Sequence, residues 1–257
     1  MVGLRVAAQA GVMEQHATAG YVGPAMFSAV HQWLFPPLCL LCGEAGEGGL
    51  DLCGECIAAL PWLGNACPVC ALPLPTPEVG VRCGRCRGSR SALTLAHAAF
   101  RYEWPIDGLL RRFKFDGDLV AGRLLSQLMV RGLGTAPFAP VGSGCAVLVP
   151  IPLHASRLRA RGYDQAAELT RPLSHALRQP WRFALRRRVA TQAQSALQAT
   201  ARRRNVHDAF DSVAPVPHHV VLVDDVMTTG ATLRSAARAL RQAGASRVDA
   251  WVCARVP

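Results

Sequence analysis

Lysine is all but missing from this chain. Of 28 basic residues in 257, Lys114 is the single lysine and the rest are arginine, giving a formal net charge of +11. Arginine bias at this level can reflect the nucleotide composition of a genome, so the choice of residue is not read as function. The excess charge still favours anionic partners, either phosphorylated small molecules or nucleic acid; a globular protein with a basic surface is an equally open reading. Long apolar runs are missing too. The best candidate, Trp33 to Leu41, is short and broken by Pro36 and Pro37, so no membrane insertion is expected. The N-terminal stretch carries one arginine and then Glu14 among weakly apolar residues, which makes a poor secretory signal, and a cytoplasmic location is the default expectation. Half of the residues are hydrophobic (51%), which excludes a disordered chain and leaves room for a sizeable core plus a small module.

Cysteine, in contrast, is plentiful and patterned. Eight cysteines form four pairs of one spacing: Cys39 and Cys42, Cys53 and Cys56, Cys67 and Cys70, Cys83 and Cys86. A two-residue spacer lets both thiolates of a turn face one metal, and two such turns complete a tetrahedral four-cysteine zinc site. Cys39, Cys42, Cys53 and Cys56 make one site and Cys67, Cys70, Cys83 and Cys86 a second, so two structural Zn2+ ions are expected. A cross-braced order would use the same ligands. Each half closes on Cys-Gly-x-Cys (CGEC and CGRC), an internal repeat in which glycine permits the tight turn. Disulfides are the weaker reading for thiols kept in a reducing compartment. The spacers are too short to bury a core, so metal binding supplies the folding energy, on the order of 10 kcal/mol per site. Cys145 and Cys253 lie in later apolar runs and read as core.

Beyond Cys86 the pattern alternates. Strands are expected over Leu93 to Glu103, within Cys145 to Leu153, where the strand runs into a proline-punctuated turn, and over Trp181 to Arg187. Helices are expected over Trp104 to Phe115, Ala121 to Leu133 and Asp164 to Arg178, the last with Pro172 as a kink or boundary. Val189 to Phe210 is polar and arginine-rich and reads as a mobile arm. The apolar run Val220 to Val223 reads as a strand, Leu233, Ala237 and Leu240 at helical spacing mark a helix at 231–243, and a strand in RVDAWVCAR ends the chain. The class is therefore α/β, a mainly parallel sheet with helices on both faces. In HVVLVDDVMTTGATL, Thr228, Thr229, Gly230, Ala231 and Thr232 offer hydroxyls and backbone N–H groups where a helix begins, an arrangement suited to a phosphate. Asp224 and Asp225 precede them at the strand end. Carboxylates repel phosphate, so they should face hydroxyls or magnesium, and the whole describes a ribose-5-phosphate cradle. The bland alternatives are a threonine helix cap and the aspartate of a phosphoacceptor or P-loop fold, although the P-loop lysine is absent.

VVLVDDVMTTGATL resembles the phosphoribosyl-pyrophosphate (PRPP) motif of type I phosphoribosyltransferases. With the cysteine module, the chain from about Trp33 onward resembles the ComF family. FKFDGD, VPIPLHASRLRARGYDQAAEL and TQAQSALQATARRRNVHDAF match further family blocks in the right order, with Lys114 at the expected position. The resemblance implies that Asp224 and Asp225 meet the ribose hydroxyls, directly or through Mg2+, and are the catalytic pair. It also implies that Thr228 to Thr232 hold the 5-phosphate, that Arg157, Arg161 and Gly162 lie near the diphosphate, and that Arg202 and Asn205, with Lys114 as a further loop candidate, serve a closing loop. Arg159, Arg203 and Arg204 fit a solvated basic face as well. Two departures stand out: Asp164 replaces the usual asparagine, placing a carboxylate beside the diphosphate loop, and Tyr163 replaces phenylalanine.

The domain expectation is an N-terminal extension at 1–30, poorly ordered and with Met26 as a possible start, then a double zinc ribbon at 31–90 and a phosphoribosyltransferase-like domain at 91–257. Two functions stay open. One is a Mg2+-dependent phosphoribosyltransferase acting on an unidentified base, bound to PRPP. The other is a non-catalytic PRPP- or nucleotide-binding protein that contacts single-stranded DNA. The family resemblance implies a link to DNA uptake in natural transformation, with a helicase-like competence protein as partner.

Overall fold

A computed structural model describes residues 37–75, 80–134, 146–188, 209–213 and 215–257. The 1–30 extension, Met26, Cys145, Arg202, Asn205 and the expected arm at 189–208 fall outside these residues. A short helix, α1 (Gly54–Ala58), lies in the cysteine-rich segment. The elements β1 (Ala96–Arg101), α2 (Ile106–Phe115), α3 (Leu119–Gly134) and β2 (Val147–Pro150) follow. Next come α4 (Ala155–Arg161), α5 (Gln165–Leu177), β3 (Leu185–Arg187), β4 (Phe210–Ser212), β5 (His219–Met227), α6 (Ala231–Gln242) and β6 (Arg247–Arg255). Four strands form a parallel sheet in the order β1-β6-β5-β2, and β3 and β4 form a separate antiparallel ribbon.

The core sits on both faces of this sheet. Val220 to Val223 are all fully buried, as expected for a strand covered on two sides. Val221 and Val223 join the layer built by α2, α3 and α5, whereas Val220 and Leu222 join the layer built by α6 and the β3–β4 ribbon. The two flanking helices expose the logic plainly. In α2 the buried residues are Ile106, Leu109, Leu110 and Phe113, and in α6 Leu233, Ala236, Ala237 and Leu240 repeat the i, i+3, i+4, i+7 stripe. Each of the isoleucine, leucine and phenylalanine side chains contributes about 1.5–3 kcal/mol on burial, and each alanine about 0.8 kcal/mol.

The cysteine-rich segment is not a detached bead. Leu50, Leu52 and Leu60 are part of the same buried layer as Phe100, Phe113 and Leu124. Residues 61–63 also cover the open edge of β1, with hydrogen bonds from Leu63 N–H to the Ala99 carbonyl and from Arg101 N–H to the Pro61 carbonyl. At the opposite edge Leu148 pairs with the chain around Trp181. Both sheet edges are therefore protected.

Four expectations change. The strand at 220–223 runs on to Met227, because β6 keeps pairing with it through Arg255; Asp224 and Asp225 are thus inside the strand. The helix α5 does not stop at Pro172, since burial of Leu169, Thr170 and Leu173 around the proline sustains it. Ala209 and Phe210, assigned to a mobile arm, are buried, and Phe210 opens β4. The proline-punctuated turn after β2 leads into a helix of its own, α4, capped by the His154 side chain and closed by Gly162 at φ 80°.

Candidate functional site

Strand order fixes where a ligand can sit. The chain leaving β2 builds α5 on one face of the sheet, and the chain leaving β5 builds α6 on the other. A crevice opens at the carboxyl ends of two adjacent parallel strands whose connections part in this way, and α/β proteins bind ligands there. Pro150 and Val223 are register partners, so the α4 segment with Arg157 and Arg161 and the loop after β5 lie at one sheet edge.

Side chains alternate along β5, and the aspartates divide accordingly. Asp225 faces the α2 layer, where its carboxylate pairs with Lys114 Nζ at 2.9 Å, with both side chains largely buried (15% and 20% exposed). Lys114 sits in the last turn of α2, not in a loop, and the lone lysine is used to neutralise one member of the acidic pair. Asp224 accepts the Asp225 backbone N–H at 2.9 Å. Burial, then the neighbouring Asp225 charge, push its carboxyl up to about 8, against the opposing pull of that N–H, Lys114 and Arg187. Concentrated acidity of this kind suits hydroxyl donors or a hard divalent cation, and oxygen ligands are the donor set Mg2+ takes.

After Met227 the chain turns into α6. Gly230 sits at φ 72°, in the left-handed region, and a Cβ there would come within 2.4 Å of Met227 Cε. Thr228 and Thr229 are exposed, and the Thr229 hydroxyl accepts the Ala231 N–H at 3.3 Å. The Thr229 carbonyl is held by Arg234 Nη1 at 2.9 Å. The start of α6 thus offers hydroxyls, a close backbone approach and the positive end of a twelve-residue helix.

On the β2 side, Asp164 resolves the difficulty its charge raised. One carboxylate oxygen accepts the Leu153 N–H at 2.9 Å and the other accepts the Ala167 N–H at 3.1 Å. It caps α5 and ties down the loop after β2 instead of pointing at a ligand. Burial still raises its pKa, with Asp225 adding to the effect. Arg161 bonds Gln165 at 2.8 Å and stacks on the exposed Phe115 ring at 5.2 Å, next to Gly162. Arg159 is exposed. Tyr163 donates to the Phe113 carbonyl, joining this loop to α2. The sequence reading missed Arg187. Its guanidinium feels the Asp224 carboxylate and Arg157, although burial is what chiefly lowers its pKa. Only the alternation within LRR, which turns Arg187 opposite to Arg186, hints at this.

The eight paired cysteines gather into two groups, Cys39, Cys42, Cys53 and Cys56, and Cys67, Cys70, Cys83 and Cys86, with the ligand atoms of each within 4.8 Å of one another. The Cys42 and Cys53 sulfurs are 3.6 Å apart, as are those of Cys70 and Cys83. Tetrahedral Zn–S bonds of about 2.3 Å place sulfurs about 3.8 Å apart, so the donor set fits zinc. The thiols themselves are tuned unequally. Burial raises Cys39, but backbone N–H groups from Cys53, Cys42 and Leu41 outweigh it and bring the thiol down to about 6. Cys67 falls to about 7 in the same way, through Cys83, Val69 and Cys70, while burial pushes Cys56 and Cys86 up. Cys253 is buried in the core.

The family model for a double zinc ribbon domain matches residues 30–87, and that for a phosphoribosyl transferase domain matches residues 183–257. The molecule is thus a double zinc ribbon joined to a phosphoribosyltransferase-like α/β domain, with two four-cysteine zinc-binding sites. Over 223 residues it is 32% identical to the DNA utilization protein YhgH of Escherichia coli (strain K12), covering 86% of this chain and 97% of the relative. It is 31% identical to Competence protein F of Haemophilus influenzae, covering 79% and 84%, and 24% identical to Competence protein ComFC of Streptococcus pneumoniae, covering 84% and 99%. The chain belongs to the ComF family. A solved structure, the glutamine PRPP amidotransferase from B. subtilis complexed with ADP and GMP, overlaps 51% of this chain and 24% of its own at TM-score 0.31 and 20% identity. Among the described residues no helix is long and apolar enough to cross a membrane.

Proposed function

We propose that the crevice at the ends of β2 and β5 binds a 5-phosphorylated ribose, PRPP with Mg2+, and that the protein is a phosphoribosyltransferase acting on a nitrogenous acceptor. The observation that carries the reading is the placement, on one strand and the turn after it, of a carboxylate pair and a glycine-started helix N-terminus. Thr228 to Thr232 hold the 5-phosphate through hydroxyls and N–H groups. Asp224 and Asp225 accept from the ribose hydroxyls, with Lys114 fixing the Asp225 carboxylate. Arg157 and Arg161 draw the diphosphate to the β2 side. Asp224 and Asp225 would hold Mg2+ directly or through water, and the ion would supply positive charge beside the diphosphate leaving group. The domain limits are proposed as 31–90 and 91–257.

Equilibrium binding of ribose 5-phosphate tests the cradle. Wild-type protein should bind it saturably, and Thr232→Val should weaken binding by about tenfold through loss of a charged hydrogen bond. Equal affinity in the two proteins rules out this phosphate site.

A second reading has its own support. Trp104 is 77% exposed and borders a cleft with Leu41, Arg111 and Arg112, and an aromatic face beside guanidinium groups suits a stacked base and its backbone. The relatives named for DNA utilization and competence make single-stranded DNA the partner to test, and with it a role in the uptake or use of external DNA. Binding should fall steeply with salt and weaken in Trp104→Ala; salt-independent binding, or none, rejects it.

A further inference from the structure

One side chain joins the second cysteine cluster to the loop after β5. Arg255, the last residue of β6, is 3% exposed. Its Nε donates to the Cys70 carbonyl at 2.9 Å and its Nη1 to the Met227 carbonyl at 3.2 Å. Cys70 is a ligand position of the second cluster, and Met227 is the residue before Thr228. The Met227 carbonyl also accepts the Val256 N–H at 3.0 Å, so it is held from two directions. A buried guanidinium is costly unless its donors are satisfied. Here two of them reach backbone carbonyls of segments far apart in sequence.

The Cys67–Cys70 knuckle has reason to depend on its metal. Ala71, immediately after Cys70, sits at φ 52°, a left-handed conformation unfavourable for alanine. Its N–H bonds the Cys67 carbonyl at 2.8 Å, and Cys67 N–H bonds the Leu72 carbonyl at 2.9 Å. Metal ligation adds the restraint that keeps this turn tight. Once it is lost, Ala71 can relax, the Cys70 carbonyl turns, and Arg255 loses one of its two anchors. The first cluster packs elsewhere: Cys39 and its neighbours Leu50 and Leu52 belong to the layer of α2 and α3.

We propose that Arg255 is a positioning residue that couples metal occupancy of the Cys67, Cys70, Cys83 and Cys86 cluster to the shape of the Met227–Ala231 loop. Losing metal from that cluster then loosens the phosphate cradle, whereas losing it from the first cluster does so far less. The functional consequence rests on reading the loop as a ribose-phosphate cradle; the structural coupling does not.

The test combines three readouts on the full chain: zinc per chain, hydrogen exchange of the amides at 228–231, and affinity for ribose 5-phosphate. The double substitution Cys83→Ser/Cys86→Ser leaves the Cys67–Cys70 knuckle chemically intact but halves the second ligand set. It should lose one zinc, deprotect the loop and weaken ribose 5-phosphate by at least about tenfold. Arg255→Met should keep both zinc ions and show the same two losses. Arg255→Lys retains the charge but lacks the fork, and covers the case in which the methionine variant does not fold; it should give intermediate deprotection. Wild-type loop protection in the arginine variants and in the cysteine variant overturns the proposal, as does an equal loss of protection in Cys39→Ser/Cys42→Ser. If wild-type protein fails to bind ribose 5-phosphate, the cradle reading fails while loop protection still decides the coupling.

Discussion

Gly230 and Gly244 form a natural pair for separating strain from crowding. Both have positive φ, at 72° and 108°, so alanine at either position pays for a backbone conformation L residues avoid, about 1–2 kcal/mol. At Gly244, beyond the end of α6, an added Cβ meets nothing within 4 Å, and strain is the whole cost. At Gly230 the Cβ falls 2.4 Å from Met227 Cε and 3.0 Å from Arg234 Nη1. Met227 is 1% exposed and has little room to move, so overpacking adds about 1–3 kcal/mol. Gly230→Ala should therefore lose about 2–5 kcal/mol and Gly244→Ala about 1–2 kcal/mol. Urea unfolding reads both, through the midpoint at constant slope. Two variants equal within about 0.5 kcal/mol would refute the account of a close-packed phosphate turn. Gly230→Ala should also weaken ribose 5-phosphate, because the backbone it displaces is the part that approaches the phosphate in the proposed cradle.

Lys114→Met strands the Asp225 carboxylate beside Asp224 and should cost about 2–3 kcal/mol. Adding Asp225→Asn should recover most of that loss, and simple additivity of the two changes would show that the ion pair carries no coupling. His97 has its pKa lowered to about 4 by burial, partly countered by a backbone hydrogen bond at Gly132. Above pH 6.5 it is neutral folded or unfolded. Below that the unfolded chain takes up a proton the folded one refuses, so stability falls by up to about 3 kcal/mol towards pH 4. His97→Gln should flatten unfolding free energy across that window, and an unchanged slope contradicts the assignment. Chelating both zinc ions should lower the melting temperature of the whole described body in one transition, because Leu50, Leu52 and Leu60 share a core layer with Phe100 and Leu124. Separate transitions, with the α/β domain unshifted in calorimetry, would argue against that shared core.

Where the sequence was informative, a local rule was enough. Cysteine spacing gave all eight ligands, and the fold groups them in sequential pairs. The apolar run Val220 to Val223 and the stripe through Leu233, Ala237 and Leu240 gave the strand and helix that frame the loop, and RVDAWVCAR coincides with β6. Long-range facts were hidden. Lys114 was placed in a helix correctly but grouped with the closing loop by resemblance, because nothing nearby in sequence says that the last turn of α2 faces Asp225. Asp164 looked like a liability because its two N–H donors come from Leu153 and Ala167 on either side of a helix that its own segment did not reveal. Arg187 and Arg255 acquire meaning only when the β3–β4 ribbon and the second cysteine cluster come to rest at the ends of β5. The continuation of β5 through both aspartates likewise depends on a partner strand that forms later in the chain.

The central claim is that Asp225 and the loop after it bind a phosphorylated ribose together with a divalent ion. It is tested most directly by calorimetric titration of the zinc-loaded protein with PRPP, with and without Mg2+, alongside Asp225→Asn. Saturable binding that requires Mg2+ and disappears in the variant is the predicted result. Binding indifferent to both Mg2+ and Asp225, or no binding at all, would contradict it.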